Sequence, residues 1–168
     1  MKRLITSSLL LLLISIASLA TTVERLTLDD MVKKAHAIVH GKVRSSRAHW
    51  SADGKLILTT TTIEVQETIK GQPVKTIELT TVGGQIGDLT MFASGMPAFE
   101  TGEDAVVFVE NTGAFKTVVG LSQGKFSVKN GEVSNRLFDL SFPDGREGGP
   151  PLKMHLQDFK REIKNRLN

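Results

Sequence analysis

Leu56-Ile57-Leu58-Thr59-Thr60-Thr61-Thr62-Ile63-Glu64-Val65-Gln66-Glu67-Thr68-Ile69 decides the fold class. Ile57, Ile63, Val65 and Ile69 share one parity, and Thr60, Thr62, Glu64, Gln66 and Thr68 take the other. A period of two belongs to an extended strand with one face in a core and one in water. Outward on the C-terminal side, Gly71 and Pro73 interrupt the strand, and Ile77 and Leu79 against Thr76, Glu78 and Thr80 give the next one. Outward on the N-terminal side, Asp53-Gly54 is a hairpin signal, and Val39, Gly41 and Val43 alternate with His40, Lys42 and Arg44 in a preceding strand.

Further along, Val106 to Val109 is apolar on both parities, as in a central strand covered on both faces. Strands are predicted over Phe115 to Leu121 and Lys125 to Lys129, and Asn130-Gly131 turns the chain back through Val133. Glycines 83, 84, 87 and 95 with Pro97 mark a long irregular connection around a short Leu89 to Phe92 strand. Thr27 is placed to cap a helix over Leu28 to Ala35, with Asp29 and Asp30 where negative charge suits the helix dipole. Asp139 to Pro151 reads as a Gly/Pro-rich surface loop. After it Leu152, Leu156, Phe159 and Ile163 form the stripe of an amphipathic helix that starts near Pro151.

The expected fold is mainly β with flanking helices: an antiparallel OB-like barrel, a short N-terminal helix and an amphipathic C-terminal helix. A two-sheet sandwich is the alternative. Ile63, Val65, Ile77, Leu79, Val107, Val109, Val119, Phe126 and Val128 are expected in one core, with Leu156, Phe159 and Ile163 packed on its outside.

At the N-terminus, Lys2 and Arg3 precede the apolar run Leu9 to Ala17 and the small residues Ser18-Leu19-Ala20. The run suits a secretory signal peptide over residues 1–20, and is short of the roughly 20 residues a bilayer-spanning helix needs. Residues 21–168 are then one exported β-rich domain, periplasmic or extracellular, with no membrane span in the mature chain. Without Lys2 and Arg3 the 21 basic residues fall to 19 against 18 acidic ones. That balance argues against a nucleic-acid partner, which demands a basic stripe. There is no cysteine, so burial must stabilise the domain without disulfides.

Three segments carry a resemblance. They are Ala35-His36-Ala37-Ile38-Val39-His40-Gly41-Lys42-Val43, Ile63-Glu64-Val65-Gln66-Glu67-Thr68-Ile69-Lys70-Gly71, and Phe99-Glu100-Thr101-Gly102-Glu103-Asp104-Ala105-Val106-Val107-Phe108. The chain resembles uncharacterised exported bacterial β-rich proteins. The segment order is also distantly similar to the netrin-like module of tissue inhibitors of metalloproteinases, which implies an OB barrel. Those inhibitors chelate a protease zinc through an N-terminal cysteine, and this chain has none, so that chemistry does not carry over.

Among chemistry-bearing patterns, Gly120-Leu121-Ser122-Gln123-Gly124 spells a nucleophile elbow, with Asp139, Asp144 and His155 following in triad order. An elbow requires a strand before and a helix after, whereas Phe126-Ser127-Val128 continues as strand. His36 and His40 have H-x-x-x-H spacing but lack its glutamate. In a strand they stand roughly 13 Å apart, too far to share a metal, which leaves His40 facing solvent. Gly83 to Asp88 matches no phosphate-binding pattern and reads as a turn.

Trp50 beside Arg44, Arg47 and His49 near a hairpin tip is the candidate ligand- or partner-binding group. The function expected is a non-catalytic binding module that takes a protein or small ligand in the envelope or medium through the loops at one barrel end, the irregular 83–98 connection and the 44–54 hairpin, with no metal and no cofactor. The alternatives are a protease inhibitor acting by surface occlusion and a small hydrolase using Ser122 with His155.

Overall fold

The computed structural model describes residues 23–137, 140, 142 and 152–167. Residues 1–20, expected to be a signal peptide, and most of the 139–151 loop lie outside them. The elements are α1 (Leu28–Lys34), β1 (Ala37–Trp50), β2 (Ile57–Lys70), β3 (Thr76–Val82), β4 (Gly84–Ile86), β5 (Leu89–Met91), β6 (Asp104–Asn111), β7 (Lys116–Val118), a 3-10 turn (Leu121–Gly124), β8 (Lys125–Lys129), β9 (Glu132–Asn135), β10 (Lys153–His155) and α2 (Leu156–Asn165). No helix among the described residues is long and apolar enough to cross a membrane.

The chain is mainly β, and its principal sheet is antiparallel in the order β10-β9-β8-β6-β1-β2-β3, with β7 also on β6. β4 and β5 form a separate hairpin. The sheet curls until β3 and β7 touch, but no ladder joins them, so the expected barrel is not closed. The doubly apolar β6 is central, paired with β1 on one side and with β8 and β7 on the other. Asn130 and Gly131 both have positive φ, as the β8–β9 turn requires.

The single core expected from the sequence is two cores, one on each face of the sheet. Val39, Val43, Ile63, Ile77, Leu79, Val107 and Val109 fill the inner face, with Val65 and Phe99 packed against them. Ile38, Val106, Phe108, Val119, Phe126 and Val133 fill the outer face together with Met31 and Val32 of α1 and Phe159 and Ile163 of α2. Adjacent residues of β6 therefore serve different cores, which is why the run is apolar on both parities. Phe108, Phe126 and Phe159 pack as a trio, with centroids 4.5–6.2 Å apart.

Both helices are docked on the outer face. Thr27 and Asp30 form a reciprocal capping box at the start of α1. The C-terminal helix begins later than its apolar stripe suggests, because residues 153–155 extend along β9 as a short edge strand.

Candidate functional site

Residues 92–99, between β5 and β6, form a strap. The Gly95 carbonyl accepts from the Ser122 amide at 2.9 Å, and the Ala98 carbonyl accepts from Lys125 Nζ at 2.6 Å. Gly95 has φ +76°, and a Cβ there would stand 2.5 Å from Leu140 Cδ2. The positive φ favours glycine, and a Cβ would in addition push the Leu140 side chain aside. At the far end of the strap Phe99 packs against the inner core.

A cavity lies on each side of this strap. One, of about 210 Å³, is set against the hydroxyl-bearing inner face at Ser46, Thr59, Thr61 and Thr81. The other, of about 220 Å³, has Phe92, Met96, Pro97 and Ala98 as an apolar wall and Ser122, Lys125, Ser127 and Arg136 as a polar one. A neighbouring cleft of about 420 Å³ shares Ala98, Lys125, Ser127 and Arg136 with the second cavity. Phe92 lines both cavities and is 82% exposed.

Lys125 and Glu103 set the electrostatics. Their side chains are each 12% exposed and meet at 2.7 Å. Ser127 Oγ donates to Glu103 Oε1 at 2.5 Å, and Lys125 also lies over the Phe99 ring, 4.9 Å from its centroid. Burial pushes the Glu103 carboxyl up, but the hydrogen bonds from Lys125 and Ser127 outweigh it and hold the group below its ordinary range.

Ser122 is the unusual group of the wall. It is 8% exposed, and its hydroxyl has no hydrogen-bond partner among the described residues. Leaving such a group unpaired costs about 1–3 kcal/mol. The turn that presents it is strained as well: Gly120 and Leu121 have φ of 62° and 61°. A left-handed leucine adds roughly 1–2 kcal/mol. Such strain concentrates at ligand clamps and active sites.

The structure separates the residues singled out at the hairpin tip. Arg47 and His49 pair with Thr60 and Leu58, while Trp50 pairs with Ile57 on the opposite face, the one covered by the β4–β5 hairpin. His49 is held by Thr60 Oγ1 at 2.9 Å, and Arg44, beside a register shift, forms an ion pair with Glu64. Trp50 is exposed. Ser122 sits in a 3-10 turn between strands rather than a strand-to-helix elbow, and His155, on β10, does not hydrogen-bond to it. Gly83 to Asp88 builds β4 and its turn.

His40 does not face solvent, as the strand parity suggested; it is 7% exposed beneath α2. Its Nδ1 stands 2.9 Å from Lys160 Nζ, and its Nε2 stands 2.9 Å, poorly aligned, from Asp104 Oδ1. Lys160 also donates to Glu67 at 2.7 Å, and Lys164 binds the other oxygen of that carboxylate at 2.8 Å. This chain of groups ties α2 to β1, β2 and β6. Burial, with Lys160 adding to it, lowers the His40 pKa against the opposing pull of Asp104. A neutral ring is what an acceptor for Lys160 must be. No cluster among the described residues has the composition of a metal site.

The irregular 83–98 connection, which holds Phe92, Met96 and Pro97, is a binding loop in the sequence reading, whereas the facing Lys125, Ser127 and Arg136 carry no sequence signal. Comparison of the chain with protein-family models, curated proteins and solved structures found no match.

Proposed function

We propose that the chain is an exported, non-catalytic binding module whose ligand occupies the cavity between the 92–99 strap and the 3-10 turn. The ligand is a small molecule or the end of a protein partner in the envelope or medium. The observation that carries this reading is the unpaired, buried Ser122 hydroxyl in the wall of a cavity whose rim is an exposed phenylalanine. Both features are unfavourable in the free protein, and one ligand relieves both. With no hydrogen bond to a base among the described residues, Ser122 is read as a recognition group rather than a nucleophile. The finer description of the fold as OB-like belongs to the same reading, with the site on connecting loops held by a curled sheet.

Ala98 is exposed and lines both cavities and the cleft, so Ala98→Trp fills the site while leaving the core untouched. A thermal-shift screen of small organic acids, amides and short peptides is run on the parent and on this variant. Ligands that raise the parent's melting temperature and not the variant's support the proposal. An empty screen, or hits of equal size in both proteins, overturns it.

A further inference from the structure

One edge of the sheet is open beside the strap. β6 pairs with β1 as far as Lys42, and Glu103 and Gly102 extend the contact to Val43. From Ser45 to Trp50 the strand runs along β2 in unbroken register, and among the described residues no backbone hydrogen bond reaches its other edge. The hairpin turn fixes which groups face that edge. The Ser51 amide bonds to the Leu56 carbonyl, and the next carbonyl, of Ile57, accepts from Gly83 on the far side of β2. Trp50 and Ile57 are therefore a pair without mutual hydrogen bonds, and by alternation Ser46, Ala48 and Trp50 turn their amides and carbonyls to the open edge. Among the described residues only the Trp50 carbonyl has a partner there, His49 Nδ1 at 3.1 Å.

The same edge meets a cavity. Ser46 is exposed, and it lines the cavity of about 210 Å³ whose apolar part is Met91, Phe92, Met96 and Phe99. That volume corresponds to about seven waters at roughly 30 Å³ each, room for one side chain. Residues directly opposite each other on antiparallel strands project on the same face. A residue laid opposite Ser46 therefore points its side chain at this cavity. Arg47, the next residue along, projects on the other face, is exposed and forms no ion pair among the described residues. We infer that the open edge of β1 takes an extended segment of a partner protein as an added antiparallel strand, with an apolar side chain in this cavity and an acidic residue opposite Arg47. Another strand offers donors and acceptors at the spacing of that edge, so main-chain bonds supply the affinity and alternate side chains the selectivity. An acidic residue opposite Arg47 gains a cross-strand ion pair, whereas a second copy of this arm sets arginine near arginine. The edge and the cavity at Ser122 lie on opposite sides of the strap, so either can bind without the other.

Titration with acetyl-Glu-Leu-Glu-Val-Glu-amide, followed by ¹⁵N–¹H correlation spectra, tests the inference. The controls are acetyl-Lys-Leu-Lys-Val-Lys-amide and the acidic peptide N-methylated at its leucine and valine. Main-chain bonds carry the affinity, so the probe need not reproduce the natural segment. The acidic peptide is expected to shift the amides of Ser46, Ala48 and Trp50 and to leave Ser122 and Lys125 unmoved. N-methylation removes the donors that face β1 and is expected to weaken binding about tenfold or more. Arg47→Glu changes an exposed side chain, so it is expected to melt with the parent and to reverse the preference, taking the lysine peptide about fivefold more tightly than the acidic one. Equal affinity for the N-methylated peptide, no binding of either peptide, or shifts centred on Ser122 and Lys125 overturns the strand addition. An unchanged preference in Arg47→Glu overturns the acidic residue. Edge amides that shift with protein concentration alone assign the edge to a second copy and overturn the partner strand.

Discussion

Replacing Lys125 with methionine tests whether the strap is held by charge. The substitution keeps an unbranched chain over the Phe99 ring but removes the partner of Glu103 and the donor to the Ala98 carbonyl. Removing one member of a buried ion pair costs roughly 3–5 kcal/mol. Glu103 keeps Ser127 Oγ and the Glu100 amide as donors, so the lower end, about 3 kcal/mol, is expected. Urea denaturation at pH 7 measures it, with an unchanged m-value as the sign that the folded state is otherwise intact. The pH dependence gives a second check. In the parent, Glu103 is held below its ordinary pKa, so its contribution is present above the carboxylate range and is lost on acidification. In the variant the buried carboxylate is poorly compensated, and protonation relieves it. The stability gap between the two proteins therefore narrows as pH falls from 6 to 4. A loss below about 1 kcal/mol, of the size of a surface pair, would refute the reasoning.

Phe159→Ala, at a fully buried position 4.5 Å from the Phe126 centroid, is expected to cost about 3–5 kcal/mol in urea denaturation. An unchanged midpoint would mean that α2 contributes nothing to the fold. Gly41→Ala places a Cβ 2.2 Å from the Glu64 carbonyl oxygen, which is backbone and must move. A loss of about 3 kcal/mol or failure to fold is expected, and a melting temperature within 1–2 °C of the parent would contradict that geometry. His40 has its folded pKa below its ordinary 6.5, so the stability it lends is complete above about pH 6.5 and declines as pH falls through the folded value. His40→Gln keeps a neutral acceptor and donor, and its melting temperature should fall less than the parent's between pH 6.5 and 5. Parallel profiles would show that His40 does not titrate with folding. Glu67, pulled down to about 2 by Lys160 and then Lys164, acts lower, losing its contribution from about pH 4.5 toward 2.

The strands were legible because alternation is a local property. Leu56 to Ile69 shows its two faces in its own residues, and Asn130-Gly131 states its turn. The two cores were legible only in part. The double apolar parity of Val106 to Val109 announced burial on both faces, but parity does not say that Val65 and Val128 serve different cores. Closure of the sheet could not be read, because contact between β3 and β7 depends on curl accumulated over the whole sheet. His40 was misread because its parity is correct for the outer face, but that face is covered by a helix 120 residues away in sequence. Of the cavity, the sequence offered the irregular 83–98 connection as a binding loop and Ser122 through a nucleophile-elbow spelling, but not their juxtaposition. Phe92, Lys125 and Arg136 meet across three segments, and no local pattern encodes such a meeting.

The most direct test of the binding account is a map of backbone amide shifts, by ¹⁵N–¹H correlation spectra, on titration with the strongest ligand from the thermal-shift screen. The account predicts saturable shifts centred on Gly95, Met96, Ala98, Ser122, Lys125 and Ser127, with Arg47, His49 and Trp50 unmoved. Shifts centred on the 44–50 hairpin tip, with the strap and the 3-10 turn unmoved, would contradict it.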